Sequence, residues 1–350
     1  MRDIAIVSFA QAEKDQPVGQ TETMMLLPTI TRALEDVGLT RKDVDFTCSG
    51  SADYLSGGVF TFVQTLSAAG AWPPISESHL EMDGAWALYE AWVRLQHGDA
   101  DVALVYSSGK NVALDFDDVL NIQMDPYYLM PLCARRNELA ALQAQAYLAH
   151  SGRTEKDLAE VAVRCRRSAV DNPMAEVSGD VDAAELLSSE YEAPPLRAHD
   201  ASALALGAAA SVLVAGDRAR ELCDRPAWIR GIDHRVDPHY PGVRDLSVSP
   251  SARIAGERAG VADAPVEVAE LCASYTHEEF LLCEALGLGD ETVINPSGGA
   301  LVSNPPMVAG LTRIGEAFRQ IHDHGRQRTL GHASSGPCLQ QNLVCVLEGE

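Results

Sequence analysis

The sequence predicts an α/β protein that is assembled from two similar halves. Apolar runs with the length of strands alternate with helical patterns from one end of the 350-residue chain to the other. A second pattern also recurs in the two parts of the chain: a helix ends at a glycine, and a strand follows. The spacing from the glycine to the following segment is equal in the two copies. The alternation predicts the fold class, and the recurrence predicts an internal duplication.

Each predicted element follows one of two patterns. The strands are short runs of mostly apolar residues, and the helices repeat their apolar residues every three or four positions. In chain order, the predicted strands are 3–9, 44–49, 102–107, 209–215, 226–232, 266–271, 291–294, 328–333 and 342–348. The predicted helices are 22–37, 84–97, 136–150, 154–171, 183–188, 254–259, 277–286 and 305–322.

The first recurring spacing links a helix end to the next strand. The segment 33–38 ends in a glycine, and Asp45 follows it by seven residues at the start of a predicted strand. The segment 255–260 also ends in a glycine, and Glu267 follows it by the same seven residues. The strand therefore begins in phase in both copies.

The second recurring spacing lies further along each half. Gly98 closes one predicted helix, and Ser107-Ser108-Gly109 begins nine residues later. Gly325 follows another predicted helix, and Ser334-Ser335-Gly336 also begins nine residues later. Two independent spacings in the same order indicate a duplicated unit.

The two predicted halves differ in length. We expect the first half at residues 1–225 and the second at 226–350. The first half contains an additional segment at about 110–205, which includes Asp115-Phe116-Asp117-Asp118 near its start and then becomes helical. A long insertion on a duplicated scaffold is typical of a substrate cover or a dimer element.

Composition and charge narrow the classes of partner. The formal net charge is −23, and a chain this acidic repels phosphate backbones and anionic membrane surfaces. We therefore expect no binding to nucleic acid or membranes.

The N-terminus lacks the pattern of a secretory signal, and no stretch reaches the roughly 20 apolar residues of a membrane span. The eight cysteines include no CxxC pair, so we expect no zinc site, reduced thiols and a cytoplasmic location.

Several motifs resemble one known family. The most specific is Asn295-Pro296-Ser297-Gly298-Gly299, which is followed by Asn304-Pro305. Asn172-Pro173-Met174-Ala175 and the segment 200–210, with Leu206-Gly207 in place of the usual Asp-Gly, match further motifs. These segments resemble the thiolase superfamily, in particular its sterol-carrier or lipid-transfer type, over essentially the whole chain. The resemblance implies two pseudo-symmetric βαβαβαββ halves that form a five-layered αβαβα core.

The position of the thiolase nucleophile carries no cysteine. Thiolases place a nucleophilic Cys at the start of a helix that Gly84, Ala91 and Gly98 align here without a gap. The nucleophile position then falls on Glu81. A carboxylate does not replace a thiolate in attack on a thioester. We therefore expect no covalent acyl-enzyme at this position.

The other three family positions also differ. The Asn or His that binds the oxyanion is replaced by Cys272, and Tyr275 takes the nearby aromatic position. The His of the Gly-His-Pro motif is replaced by Asn304, which donates hydrogen bonds but cannot act as a base. The Gly-rich segment 331–337 corresponds to the turn of the second catalytic cysteine; its register is left open, and His332 is the best candidate for the reacting position. The replacements indicate a site refitted for a different chemistry.

A retro-aldol reaction suits these replacements. It needs a base, an oxyanion site and a proton donor, but no nucleophile. We expect Tyr275, His332 or Tyr240 to relay protons, and Asn304 with backbone N–H groups near Gly336 to hold the thioester oxygen. Glu81 completes the candidate catalytic set. The predicted residues for binding substrate and coenzyme A are Ser297, Gly298, Gly299 and Gly336.

The resemblance narrows further to the thiolase-like aldolases of steroid side-chain degradation in actinobacteria. It implies cleavage of a 17-hydroxy steroid acyl-CoA to a 17-keto steroid and propionyl-CoA. It also implies a thiolase-type homodimer core inside a heterotetramer with a zinc-ribbon/OB-fold subunit, the domain of unknown function 35 (DUF35). We expect zinc only in that partner and no cofactor in this chain, because coenzyme A is part of the substrate.

Two alternatives stay open from the sequence. One is a non-catalytic protein that binds acyl-CoA or sterol, and the other is a true thiolase that uses Cys272 or Cys338. The sequence leaves undetermined which steroid is cleaved and which tyrosine or histidine is the base.

Overall fold

The computed structural model describes residues 2–14, 20–70, 74–109 and 116–350 of the chain. Within those residues, ten strands form the main sheet and two form a separate hairpin. The main-sheet strands are β1 (Ile4–Gln11), β2 (Phe46–Gly50), β3 (Ser76–Leu80), β4 (Val102–Gly109), β7 (Gly207–Ala215), β8 (Ala227–Val236), β9 (Val268–Glu270), β10 (Val293–Ile294), β11 (Arg328–Ser335) and β12 (Gln341–Glu348), and the hairpin is β5 (Tyr191–Ala193) and β6 (Leu196–Arg197).

Helices connect these strands and cover both faces of the sheet. None of them, within the described residues, has the length and apolarity that would let it cross a bilayer. The helices are α1 (Glu22–Glu35), α2 (Asp53–Ser56), α3 (Phe62–Ala69), α4 (Gly84–His97), α5 (Phe116–Gln123), α6 (Arg136–Ser151), α7 (Glu155–Ser168), α8 (Ala183–Leu187), α9 (Arg218–Leu222), α10 (Pro250–Ala259), α11 (Thr276–Leu286), α12 (Gly299–Val302) and α13 (Ala309–His322).

The strand order repeats within the sheet. The first group runs β1-β7-β4-β2-β3, and the second runs β8-β12-β11-β9-β10. In each group the third and fourth strands pair in parallel, and the second and third pair antiparallel. The groups join where β1 pairs with β8 through Ala5–Trp228 and Ile6–Ala227. The duplicated architecture that the spacings predict is confirmed.

The core lies in layers around two central helices. The largest apolar cluster combines Leu88 of α4 and Leu311 of α13 with residues from strands of both groups, such as Ala209 and Leu343. Helix α1 packs on the outer face of the first group, and α10 and α11 pack on the outer face of the second. The resulting order of helix, sheet, helix, sheet and helix is the predicted five-layered αβαβα fold.

The inserted segment between β4 and β7 contacts the second strand group. The beginning of this predicted segment, 110–115 with Asp115, lies outside the described residues. Helices α5 to α8 and the β5–β6 hairpin follow. The Gln143 side chain on α6 donates to the carbonyl of Cys338 at 3.3 Å, and Tyr275 donates to Asn137 at 2.8 Å. The insertion is thereby held over the ends of β9 and β11.

Candidate active site

The described residues enclose a cavity of about 440 Å³ where the loops after β3, β9 and β11 meet the inserted helices. A cavity with one apolar wall and a few converging polar groups is typical of a small-molecule site. Its polar wall includes Glu81, Asp83, Ser274, Glu278, Asn304 and Ser335. Its apolar wall includes Phe116, Leu120, Met124, Leu139 and Ala140, which come from α5, the residue after it and α6.

Glu81 lies at the edge of this cavity, immediately after β3. Its Oε1 accepts a hydrogen bond from the backbone N–H of Asp53 at 2.5 Å, and its Oε2 lies 3.6 Å from Nε2 of His79. The side chain is 46% exposed. The carboxylate therefore holds the start of α2 while one side faces the cavity.

Asp83 connects the two central helices. Its carboxylate accepts hydrogen bonds from Ala85 N–H at 2.8 Å, Gly310 N–H at 2.9 Å and Leu311 N–H at 3.0 Å. Burial raises the pKa of this carboxyl, and the three amides oppose that increase. A fixed carboxylate thus occupies the position where the positive N-terminal ends of α4 and α13 converge. Sequence reasoning missed its role, although an Asp before a helix is a preferred N-cap.

Asn304 works together with two serine hydroxyls. Its amide Nδ2 donates to Ser202 Oγ at 2.8 Å and to Ser274 Oγ at 3.2 Å. Its backbone pairs with the loop before β7, where Asn304 N–H donates to the carbonyl of Ala203 at 2.8 Å. Because both hydroxyls accept from the amide, their own hydrogens stay available to donate. The Ser274 hydroxyl can donate into the cavity, a role that sequence reasoning missed.

Tyr275 lines the cavity next to Ser274. Its side chain is almost fully buried, and its hydroxyl donates to Oδ1 of Asn137 at 2.8 Å. Burial raises the pKa of this phenol far above its usual value. The phenol therefore stays protonated near neutral pH and can serve as a donor rather than as a base.

Glu278 is a buried carboxyl in the cavity wall. Its Oε2 accepts from the backbone N–H groups of Ser274 at 2.7 Å and Tyr275 at 3.2 Å. Burial raises its pKa to about 7. Sequence reasoning missed this residue, because the helix it caps begins after Tyr275 rather than after the Ser or Thr of a recognisable capping motif.

The C-terminal turn reaches the cavity at Gly336 rather than at His332. Gly336 has a φ of +73° and lines the cavity together with Ser334 and Ser335. His332 is fully buried within β11, four residues earlier, where its Nδ1 accepts from Cys272 N–H at 3.3 Å. Burial lowers the pKa of this imidazole to about 4. The structure places His332 behind the wall, where a neutral ring supports the loop after β9.

Tyr240 lies outside the cavity lining. Its neighbour His239 contributes to the lining, whereas the Tyr240 ring stacks edge-on against Tyr128 with the ring centres 6.4 Å apart. A hydrogen bond with Asp125 raises the pKa of the Tyr240 phenol. The side chain is 36% exposed, so it belongs to the outer surface beside His239.

Ser297, Gly298 and Gly299 also lie away from the cavity lining. Ser297 donates its hydroxyl to Glu270 Oε2 at 2.7 Å, and Arg313 contacts the same carboxylate at 2.7 Å. A Cβ at Gly298 would lie only 2.7 Å from Val302 of α12 and 2.8 Å from Ala169, which follows α7. The family motif therefore braces the end of β9, and the structure does not bring it together with Asn304 and Tyr275 at the cavity.

Two cysteines line the cavity but are poor nucleophiles. Burial raises the thiol pKa of Cys272 to about 11, and the nearby carboxylate of Asp83 adds to the shift. Burial likewise raises the thiol pKa of Cys338 to about 12. The thiolate is the reactive form, so both residues are protonated and unreactive near neutral pH.

A second cavity of about 240 Å³ adjoins the first through Arg136, which lines both. The buried His199 and the half-buried Arg166 also line it. The guanidinium of Arg166 makes no hydrogen bond or ion pair with another described residue.

The described part of the chain contains no group of three or more His, Cys, Asp or Glu side chains that could hold a metal ion.

Sequence comparison identifies relatives but no matching family model. The chain is 28% identical over 233 residues to the benzoylsuccinyl-CoA thiolase subunit BbsB of Thauera aromatica, a match that covers 58% of this chain and 60% of that protein. It is 24% identical over 356 residues to an acetyl-CoA acetyltransferase of Methanocaldococcus jannaschii, covering 92% and 90%. It is 26% identical over 361 residues to the 17-hydroxy-3-oxo-4-pregnene-20-carboxyl-CoA lyase of Mycobacterium tuberculosis, covering 91% of each.

Solved structures share the whole fold. An Ltp2-ChsH2(DUF35) aldolase superposes with a TM-score of 0.82 at 20% identity, covering 99% of this chain and 97% of that one. An acetyl-CoA acetyltransferase of Bacillus anthracis superposes with a TM-score of 0.79 at 15% identity, covering 100% and 99%. These likenesses confirm the thiolase fold, and the sequence relatives confirm the resemblance that the motifs indicate. The chain therefore has the thiolase fold and resembles the thiolase superfamily in sequence.

Proposed function

We propose that this chain catalyses retro-aldol cleavage of a 17-hydroxy steroid acyl-CoA to a 17-keto steroid and propionyl-CoA. The observation that carries the proposal is the composition of the cavity wall. Glu81, which the motif alignment assigns to the position of the thiolase nucleophile, lines the cavity, and burial raises the thiol pKa of Cys272 and Cys338. The other polar groups of the cavity wall are hydrogen-bond donors and groups that can transfer protons. The lyase among the sequence relatives and the aldolase among the structural neighbours support the same reaction class.

The proposed reaction moves one proton and breaks one carbon–carbon bond. A base removes the proton of the β-hydroxyl, and the O–H electron pair forms the carbonyl of the ketone. The pair of the breaking bond moves into the thioester as an enolate, and an acid then protonates its α-carbon. Atoms balance without water, free coenzyme A or a redox cofactor, so we propose that the chain requires no cofactor of its own.

Groups in the cavity suit these steps. The Ser274 hydroxyl, backed by Asn304, and the turn at Gly336 would stabilise the enolate oxygen. Tyr275, a neutral phenol in the wall, would donate a proton. The apolar wall from α5 and α6 would hold the steroid. Tyr240 and His332 do not line this space, so we assign them supporting roles at the outer surface and behind the wall.

The second cavity offers a path for the coenzyme A moiety. The chain as a whole carries a net charge of −23, so phosphate groups require local cations to overcome the overall field. Arg136 lines both cavities, and Arg166 presents a guanidinium without a carboxylate partner among the described residues. Arginine matches phosphate geometry well. We propose these two residues as phosphate contacts in place of the motif at Ser297.

We also propose the assembly. The aldolase neighbour is an Ltp2-ChsH2(DUF35) protein, and its DUF35 component supports a DUF35 partner for this chain. A homodimer core with two such partners would give the heterotetramer, with any zinc in the partner. Strand β3, whose outer edge is unpaired among the described residues, and the exposed Tyr54, Phe60 and Val63 would supply an edge and apolar surface for a second copy.

The test is a cleavage assay with purified protein. The substrate is 17-hydroxy-3-oxo-4-pregnene-20-carboxyl-CoA, with and without an added DUF35 protein, and the products are followed by liquid chromatography and mass spectrometry. We expect the 17-keto steroid and propionyl-CoA in equal amounts. The 17-deoxy analogue, which cannot form the ketone, is the control. Tight binding of the substrate without any ketone, under both conditions, would instead support a non-catalytic acyl-CoA binding protein.

A further inference from the structure

Glu278 is a buried carboxyl that has no cationic partner among the described residues. Its side chain is 4% exposed, and only backbone amides, those of Ser274 and Tyr275, oppose the effect of burial on its ionisation. A buried carboxylate without a counter-ion is costly. Such a group is typical of a functional role, because buried carboxyls with perturbed pKa values cluster at functional sites.

Other buried glutamates in the same region are paired. Glu279, the next residue along α11, forms an ion pair with Arg164. Glu270, at the end of β9, lies 2.7 Å from Arg313. The absence of an equivalent cation at Glu278, within the described parts of the chain, therefore distinguishes it from its buried neighbours.

The free oxygen of Glu278 is the significant atom. Both amide hydrogen bonds go to Oε2, and Oε1 has no hydrogen-bond partner among the residues that the structure describes. The residue lines the cavity together with Ser274 and Tyr275. A carboxylate oxygen is thereby presented to the cavity beside Ser274, whose hydroxyl would bind the thioester oxygen.

Three other titratable groups of the wall are less suited to act as the base. The phenol of Tyr275 stays protonated, and the carboxylate of Asp83 is saturated by three amides from two helices. Glu81 holds the start of α2 at the exposed edge. Glu278 combines burial, a free oxygen and a position beside Ser274.

We propose that Glu278 is the general base of the cleavage, a catalytic residue of this cavity that rests on the proposed function. Its carboxylate accepts the proton of the β-hydroxyl as the carbon–carbon bond breaks. The proton of the resulting carboxylic acid then reprotonates Tyr275, which has given its own proton to the α-carbon of the enolate. The carboxylate is thus regenerated in each turnover, and no other reactant is consumed.

The test compares Glu278→Gln with wild type across pH. The amide keeps an oxygen for the Ser274 and Tyr275 amides but cannot accept the proton. General-base catalysis contributes roughly 10²–10⁴-fold, so we expect kcat/KM to fall by about that factor. For wild type, kcat/KM should rise with pH through an apparent pKa of about 7, because the base must be ionised. The variant should lose this rise.

Two further variants serve as a control and as a partial replacement of the carboxylate. Asp157→Asn changes a matched capping carboxylate at the start of α7, where Asp157 accepts from Thr154 N–H at 2.7 Å and does not line the cavity. It should leave kcat/KM and its pH dependence unchanged. Glu278→Asp keeps a carboxylate on a shorter side chain and should recover part of the rate that Glu278→Gln loses, together with the pH-dependent rise.

The outcomes separate the two proposals. If wild type cleaves the substrate but Glu278→Gln retains its rate and pH profile, the role of Glu278 is overturned and the retro-aldol function stands. If folded wild type cleaves no β-hydroxyacyl-CoA with or without the DUF35 protein, the proposed function fails and the role of Glu278 fails with it. Folding of each variant is verified by its thermal unfolding curve.

Discussion

At the scale of single residues, Asn304 acts through its neighbours. The side-chain amide donates both of its hydrogens, one to Ser202 and one to Ser274. The donor that faces the cavity is therefore the Ser274 hydroxyl. We propose that the predicted oxyanion role of Asn304 is shared with Ser274. An amide that fixes a hydroxyl removes the need for the hydroxyl to reorient during the reaction, which is the basis of electrostatic preorganisation.

This arrangement predicts a difference between two serines. Ser274→Ala removes the hydroxyl that faces the cavity, and we expect kcat to fall by roughly 10²–10³-fold, as for loss of one oxyanion donor. Ser202→Ala removes the other hydrogen bond to Asn304 but leaves the Ser274 hydroxyl in place, so kcat should fall much less. Steady-state kinetics of both variants measure the difference. A normal kcat for Ser274→Ala would contradict the assigned donor.

The cysteines give a second prediction at this scale. Because burial raises the thiol pKa of Cys272 to about 11 and of Cys338 to about 12, we expect iodoacetamide at neutral pH to leave cleavage unaffected. The exposed Cys133 should react, and peptide mass spectrometry should find the modification there as an internal control. Loss of activity that parallels alkylation of Cys272 or Cys338 would restore the thiolase alternative.

At the scale of elements, one carboxylate fixes two helices. Asp83 accepts from Ala85 of α4 and from Gly310 and Leu311 of α13. The approach is so close that a Cβ on Gly310 would lie 2.5 Å from the carboxylate. The two central helices are thereby tied at the end that faces the cavity, and their N-terminal charge is compensated internally.

Asp83→Ala should therefore destabilise the fold strongly. Loss of an N-cap costs roughly 0.5–2 kcal/mol, and the buried amides left without a partner add about 1–3 kcal/mol. Urea denaturation of the variant and wild type measures the difference. Asp182→Ala is the matched control, because Asp182 accepts one N–H, from Ala184 at 2.8 Å, on the exposed helix α8. Equal losses in the two variants would contradict the bridging role of Asp83.

The sequence predicts most buried elements because their apolar patterns are clear. The prediction fails where an element is polar, or where backbone geometry determines the residue at which a helix begins. Strand β3 escapes prediction because Ser76–Leu80 is a polar edge strand with exposed residues. The helix predicted at 305–322 begins only at Ala309, because Met307 adopts a φ of +64°. Motif alignment assigns His332 to the reacting position, whereas the turn reaches the cavity at Gly336.

At the scale of the whole molecule, the cavity joins three parts of the chain. The first half contributes Glu81 and Asp83, the second contributes Ser274, Glu278 and Asn304, and the insertion adds the apolar wall. The duplication is predictable from two spacings. The position of the insertion is not, since contacts such as Tyr275 with Asn137 depend on tertiary packing between residues 138 positions apart.

The proposed reaction breaks a carbon–carbon bond without forming an acyl-enzyme. The most direct test runs the wild-type protein with the steroid acyl-CoA in D₂O, with the DUF35 protein present, and follows both product and intact protein by mass spectrometry. We predict propionyl-CoA that carries one deuterium at its α-carbon and forms without added coenzyme A, while the protein mass stays unchanged during turnover. A protein that carries an acyl group, or product that forms only when free coenzyme A is supplied, would contradict this mechanism.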